Sequence, residues 1–176
     1  MGKRRQGGAV WALLLTVGIA VALGLRIGSV WSELPATMAS HFGISGRADA
    51  FMSKEGFFIV VALVGGGSVA AVFAAPTLLR HLPPSLINFP NRDYWFANDQ
   101  RREAAIDRWA GFLDWMGMAT AAILATATEL VLQANLHQTD FANGIFLTVL
   151  VVYFAFVIAG LAWMMRAFKS PEGTKR

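Results

Sequence analysis

The sequence predicts an all-α fold: a four-transmembrane-helix bundle with both termini cytoplasmic and a short outer amphipathic helix between helices 1 and 2. Three observations predict it. Apolar residues make up 56% of the chain and charged residues only 15%, a balance that a water-soluble domain does not have. The apolar residues gather into four runs, about 9–31, 57–79, 109–134 and 144–165. Each is near the ~20 residues that cross about 30 Å of hydrocarbon with every backbone hydrogen bond satisfied inside the helix. Lys and Arg are distributed unevenly among the connections, which sets orientation. With so much of the chain in lipid, residues 1–176 read as a single integral membrane domain.

The basic residues divide by side. Lys3, Arg4 and Arg5 precede the first run, and Arg80, Arg92, Arg101, Arg102 and Arg108 lie between the second and third. Arg166, Lys169, Lys175 and Arg176 follow the fourth, whereas the first connection has only Arg47 and Lys54 and the third has none. Basic residues near helix ends stay cytoplasmic, so both termini are expected inside and residues 34–54 outside. The same distribution explains the high pI without nucleic acid, because the cations are spread over several connections facing an anionic leaflet and form no single stripe.

The first run begins behind a basic segment and contains Ala20-Val21-Ala22, the features of a cleavable signal peptide. It continues to Trp31, longer than such a segment needs, and is read as a retained spanning helix. It carries Arg26, and the third run carries Asp114 and Glu129. Ionisable groups in apolar runs are expensive and mark pairs, pathways or snorkelling side chains. Arg26 and Glu129 fall at matching depth in the outer half of the membrane, about 10 Å from its centre. Either they pair or each reaches separately for the headgroups. Asp114 lies near the cytoplasmic end, within reach of Arg108 or water. Fifteen residues at about 100° each leave Asp114 and Glu129 roughly 60° apart, which permits a shared face and a proton or ion path.

The outer segment "LPATMASHFGISGRADAFMSK", residues 34–54, predicts a short surface helix. Pro35 suits a first helical turn, Leu34, Met38 and Phe42 recur at every fourth position, and Gly43 suits a left-handed cap. Gly46 then permits a tight turn, and Ser53 caps the second spanning helix, with Glu55 in its first turn. His41, Asp49 and Lys54 are the candidate residues for a ligand or partner, or for holding the loop itself. His137 and Asp140 lie on the same side, but the spacing fits no metal signature and no metal is expected. No cofactor is expected either.

In the second run Gly66, Ala70 and Ala74 repeat at four-residue spacing, as do Gly67, Ala71 and Ala75. The third run offers Gly117, Ala121 and Ala125. Small residues let helices approach closely in lipid, so the second and third helices are expected to pack together. The glycines also suit a flexing point, with Pro76 available to kink the cytoplasmic end. Between these runs lies the cytoplasmic block 80–108. Pro83-Pro84 and Phe89-Pro90 break helix, Tyr94, Trp95 and Phe96 suit the membrane interface, and Asn98 or Asp99 caps the helix that follows. The block is either an interfacial anchor or a docking surface with Arg92, Asp93, Arg101 and Arg102 on its rim.

The outer segment resembles a bacterial membrane family catalogued as domain of unknown function 1648, on Leu34, Pro35, His41, Phe42, Gly46, Asp49, Ser53 and Lys54. The stretch "INFPNRDYWFANDQRREA", Ile87 to Ala104, is similar to a second block of those proteins. The chain departs from the family pattern at Met38-Ala39-Ser40, where a second proline is common, and at Ala50-Phe51-Met52, where an aromatic-glycine pair is common. The resemblance implies a relation to larger membrane proteins similar to immunity proteins, which protect a bacterium from its own secreted killing peptide and recruit a transcriptional repressor.

Two functions compete. One is a protein of the bacterial cytoplasmic (inner) membrane that senses or blocks a protein or peptide partner at its outer segment, in an immunity-like role. The other is a small transporter, or a subunit of one, using Arg26, Asp114 and Glu129. Transport calls for polar groups near the midplane, where this sequence has only glycine, serine and threonine, so interaction is favoured. Enzyme activity is not expected, since the chain has no nucleophile-base spacing, no metal signature and no phosphate loop. Without cysteine there is no thiol chemistry.

Overall fold

A computed structural model describes residues 3–169, so Lys175 and Arg176 of the basic tail lie outside the described residues. Four helices are long and apolar enough to span a membrane. The first is Lys3–Val30, with Gly8–Val30 as its apolar span. The second is Lys54–His81, the third Asp99–His137 and the fourth Asn143–Ala167. All four predicted spans are present, each somewhat longer than its apolar run. The third, at 39 residues, is about 58 Å long and outreaches the hydrocarbon by several turns.

The third helix is the hub. The first, second and fourth each pack along it, while among the described residues the first and second do not approach one another along their lengths. Packing in the middle of the bundle is ring into glycine. A Cβ on Gly117 would stand 2.6 Å from the Phe73 ring of the second helix, and one on Gly160 of the fourth would stand 2.5 Å from Phe112 of the third. Thr120 and Tyr153 add a hydroxyl bond of 3.1 Å between the third and fourth helices. The second and third helices therefore pack closely, as expected, through Gly117 of the third helix's stripe but not through the stripes of the second. Gly66 and Gly67 have no neighbour within 4 Å, and Ala70, Ala71 and Ala74 are exposed. Gly65 faces Leu124 instead. Just there the second helix widens into a π turn over Val61–Gly66, and Pro76 lies buried farther along.

Two compact cores close the two ends. At one, Val30, Leu34, Met38, Phe57 and Leu132 pack together, with Met52 and Phe58 beside them. At the other, Ile87, Phe89, Trp95, Ala105 and Phe168 form an aromatic cluster.

The predicted outer helix is not formed. Its residues make a β-hairpin, β1 (Thr37–Phe42) and β2 (Ala48–Ser53), paired antiparallel. The physical reason is that a four-residue spacing returns to one face both in a helix and in a strand, so Leu34 and Met38 fit either. The register runs Thr37 to Ser53, Met38 to Met52, Ala39 to Phe51, His41 to Ala50 and Phe42 to Ala48, which leaves Ser40 and Asp49 as bulges. The bulge at Ser40 breaks the alternation: Met38 enters the core, whereas Phe42 turns outward and stacks on Phe141 with ring centroids 5.1 Å apart. Gly46, not Gly43, takes the left-handed conformation, at φ 86°. Ser53 caps the second helix as expected, its hydroxyl accepting from Gly56 N–H at 3.1 Å.

Candidate functional site

The hairpin is fixed to the bundle by backbone groups. Asn135, on the last turn of the third helix and only 8% exposed, accepts from Ala39 N–H at 2.7 Å and donates to Ala39 C=O at 3.0 Å. Its amide thus pairs with both outward backbone groups of Ala39 as a neighbouring strand would. The turn is held too. Phe141 N–H donates to Gly46 C=O at 2.8 Å and the Asn143 amide to Ile44 C=O at 2.6 Å. A Cβ on Gly46 would meet the Phe141 carbonyl at 2.8 Å, so this position requires glycine for space as well as for its φ.

Between the hairpin and the end of the third helix lies an open groove of about 370 Å³, lined by Thr37, Ala39, Phe51, Asn135 and Asp140 among others. Phe51 is 62% exposed at its edge. An aromatic ring left open beside a groove, on a hairpin anchored along its other strand, suits capture of a chain segment.

Of the three outer candidates, two meet. His41 Nδ1 lies 2.5 Å from Asp49 Oδ1, a pair enabled by the Asp49 bulge. Both side chains are more than half exposed, so the pair shapes the surface and adds little stability. Lys54 stands apart at the base of the hairpin. Its ammonium donates to Trp31 C=O at 2.9 Å and lies 4.6 Å from the centre of the Trp31 ring. That places a cation at the carbonyl end of the first helix, where the helix dipole favours it. Among the described residues no group of three His, Asp or Glu side chains is arranged to hold a metal, and His137 and Asp140 form no such cluster with His41.

Within the bundle, Arg26 and Glu129 form the ion pair that their depth suggested. Arg26 Nε stands 3.2 Å from each carboxylate oxygen, and Gln133 Nε2 donates to the same carboxylate at 2.6 Å. Asp114 does not join them: fifteen residues of helix separate it from Glu129 by about 22 Å. Nor does Arg108 turn to Asp114, since its guanidinium donates to Ala167 C=O at 2.6 Å.

The aromatic block is chiefly a pair of helix caps. Arg102 donates to the carbonyls of Leu82 at 2.7 Å and Arg80 at 3.2 Å, closing the second helix. Asn91 at 2.8 Å and Trp95 at 3.0 Å donate to Phe168 C=O, closing the fourth. Asn98 caps the third helix, accepting from Arg101 N–H at 2.9 Å, and the Arg101 guanidinium lies 4.3 Å from the centre of the Tyr94 ring. Of the four residues expected on a docking rim, Arg92 and Asp93 are exposed, Arg101 is exposed but rests on Tyr94, and Arg102 is committed to the fold.

Sequence reasoning missed Asn135, Gln133, Asn91 and Phe51. For Asn135 the available signal was a polar amide one turn from the apolar Val131 and Leu132 near the end of a spanning helix, where an unpaired amide is costly.

No curated protein and no solved structure matches the chain. Residues 12–65 match a family model described as Domain of unknown function (DUF1648). The match runs from the first helix through the hairpin into the π turn, and the block from Ile87 to Ala104 lies beyond it. The hairpin, with most of the first helix and the start of the second, is thus the part of this multi-pass membrane protein that is similar to the DUF1648 domain.

Proposed function

We propose that this protein resides in the bacterial cytoplasmic (inner) membrane with both termini inside, and that its hairpin end, on the outer side, binds a protein or peptide partner in a sensing or immunity-like role. The observation that carries the reading is the hairpin itself: β1 is anchored through Asn135, while β2, Phe51 and the groove beside them stay open. The polar groups inside the bundle favour binding over transport. Arg26, Glu129 and Gln133 are mutually engaged, and Asp114 lies too far along the helix to relay with them. No catalytic step and no cofactor belong to this reading. Arg92 and Asp93 provide a second docking position on the cytoplasmic face.

The test is a pull-down from nanodiscs with wild type, His41→Ala, Phe51→Ala and the double variant Arg92→Ala/Asp93→Ala, run beside an ion-flux assay in liposomes. A partner retained by wild type and lost with Phe51→Ala supports the reading. Ion flux without any specific partner would reverse it in favour of transport through Arg26, Asp114 and Glu129.

A further inference from the structure

Antiparallel strands alternate between pairs that bond each other and pairs whose N–H and C=O point away from the partner strand. Lys54 N–H donates to Ala36 C=O at 2.9 Å, which makes Ala36 and Lys54 a bonded pair. Counting along the register, Met38 and Met52 are bonded, and Ala39 and Phe51 are an outward-pointing pair. Asn135 corroborates this independently, because it takes the outward N–H and C=O of Ala39. Phe51 therefore directs its own N–H and C=O to the opposite side, along the free edge of β2. Among the described residues no side chain bonds them, and β2 is exposed at Asp49, Ala50, Phe51 and Ser53. A sheet edge of this kind accepts another strand unless something blunts it. Here there is no proline in β2, and its one charged residue, the half-exposed Asp49, lies at the bulge near the start of the strand, so Ala50 to Ser53 carry no charge.

Charge then selects the occupant. The charged residues at this end are Glu33, Asp49, Glu55 and Asp140 against Arg47 and Lys54, an acidic excess of two, and the Lys54 ammonium lies on the Trp31 carbonyl at the base of the hairpin. Asp49 lies near the start of β2 and Glu55 just past its end. We infer that the free edge of β2 binds an extended cationic segment of a partner protein or peptide by strand addition, the segment bonding Phe51 N–H and C=O while its basic side chains meet Asp49 and Glu55. Alternate residues of such a strand face the groove, so an apolar side chain there lies against the Phe51 ring. The inference rests on the hairpin end being the binding surface and adds how, and to what chemistry, it binds.

The full chain in phosphatidylcholine nanodiscs is titrated with a fluorescent peptide of alternating Lys and Val. An alternating Glu and Val peptide, a Lys and Val peptide N-methylated at alternate residues, and empty nanodiscs serve as comparisons. The expected result is saturable binding of the Lys and Val peptide, weakened about tenfold by N-methylation because the donors are lost. The Glu and Val peptide should not bind, and Asp49→Asn with Glu55→Gln should weaken binding and flatten its salt dependence. Phe51→Pro removes the outward N–H but no bond between β1 and β2, and should abolish binding while protection of Ala39 N–H from hydrogen exchange is retained. Equal binding of the methylated and parent peptides overturns strand addition and leaves the hairpin as a binding surface. No saturable binding of the Lys and Val peptide, or Phe51→Cys chains that cross-link to one another through this edge instead, overturns the inference while the pull-down decides the broader reading separately.

Discussion

Arg26 and Glu129 join the first helix to the third inside the apolar zone, with Nε 3.2 Å from each carboxylate oxygen. Removing one partner strands the other charge where water is scarce. Arg26→Met is expected to lower stability by about 1–3 kcal/mol. Arg26→Met combined with Glu129→Leu should recover most of that loss, since an apolar pair leaves no charge unpaired. Reversible unfolding in bicelles measures both. Single variants as stable as wild type would mean that the two groups snorkel independently.

Two glycines in adjacent helices should respond in opposite ways. Gly117→Ala drives a methyl to within 2.6 Å of the Phe73 ring, and overpacking of this kind costs about 1–3 kcal/mol. Gly66→Ala meets nothing and should be neutral or stabilising by about 0.5–1 kcal/mol, the helix-propensity difference. Thermal melts of the two variants side by side decide this.

Asn135→Leu leaves the N–H and C=O of Ala39 without their partner. An unsatisfied buried backbone group costs about 1–3 kcal/mol, enough to release the hairpin without unfolding the helices. Hydrogen exchange should accelerate at Ala39 and in β1, with exchange in the middle of the third helix unchanged.

Arg102→Gln withdraws the guanidinium from the carbonyls of Leu82 and Arg80. Limited proteolysis between Leu82 and Asn98 should become faster. Arg92→Gln alters an exposed side chain and should stay within about 0.5 kcal/mol of wild type.

Orientation is open to direct measurement, because the chain has no cysteine to interfere. In intact cells Ile44→Cys, on the fully exposed hairpin turn, should react with a membrane-impermeant maleimide, and Asp93→Cys should react only after lysis. The reverse pattern would place both termini outside.

The spanning helices were legible because lipid imposes one rule, a long apolar run with its own backbone satisfied, and the sequence meets it four times. The Ser53 and Asn98 caps were legible because their bonds are local. The hairpin was not, since Leu34 and Met38 satisfy either periodicity and the deciding bulge at Ser40 is set by pairing with β2. Of the candidate residues, the His41 and Asp49 pair was half visible, and Arg26 with Glu129 could be matched by depth. Lys54 holds the base of the loop, one of its two expected roles, but apart from His41 and Asp49, because its partners are backbone carbonyls, which composition does not reveal. The capping role of Arg102, expected on a docking rim, was hidden for the same reason. The small-residue stripes of the second helix misled differently: spacing says which residues could touch, but Phe73 packs on Gly117 of the third helix's stripe and Gly66 and Gly67 are left facing outward.

The central position of the third helix has a consequence for biogenesis. The first two helices lie against it and, among the described residues, not along one another. As the chain leaves the ribosome they enter the bilayer as a loosely tethered couple, joined by the hairpin and by the Lys54 clasp on Trp31. Asn135 lies two residues before the end of the third helix, so Ala39 gains its partner only once nearly all of that helix has been made. The hairpin end is therefore completed late in synthesis, and a nascent protein truncated before Asn135 would carry an unanchored hairpin.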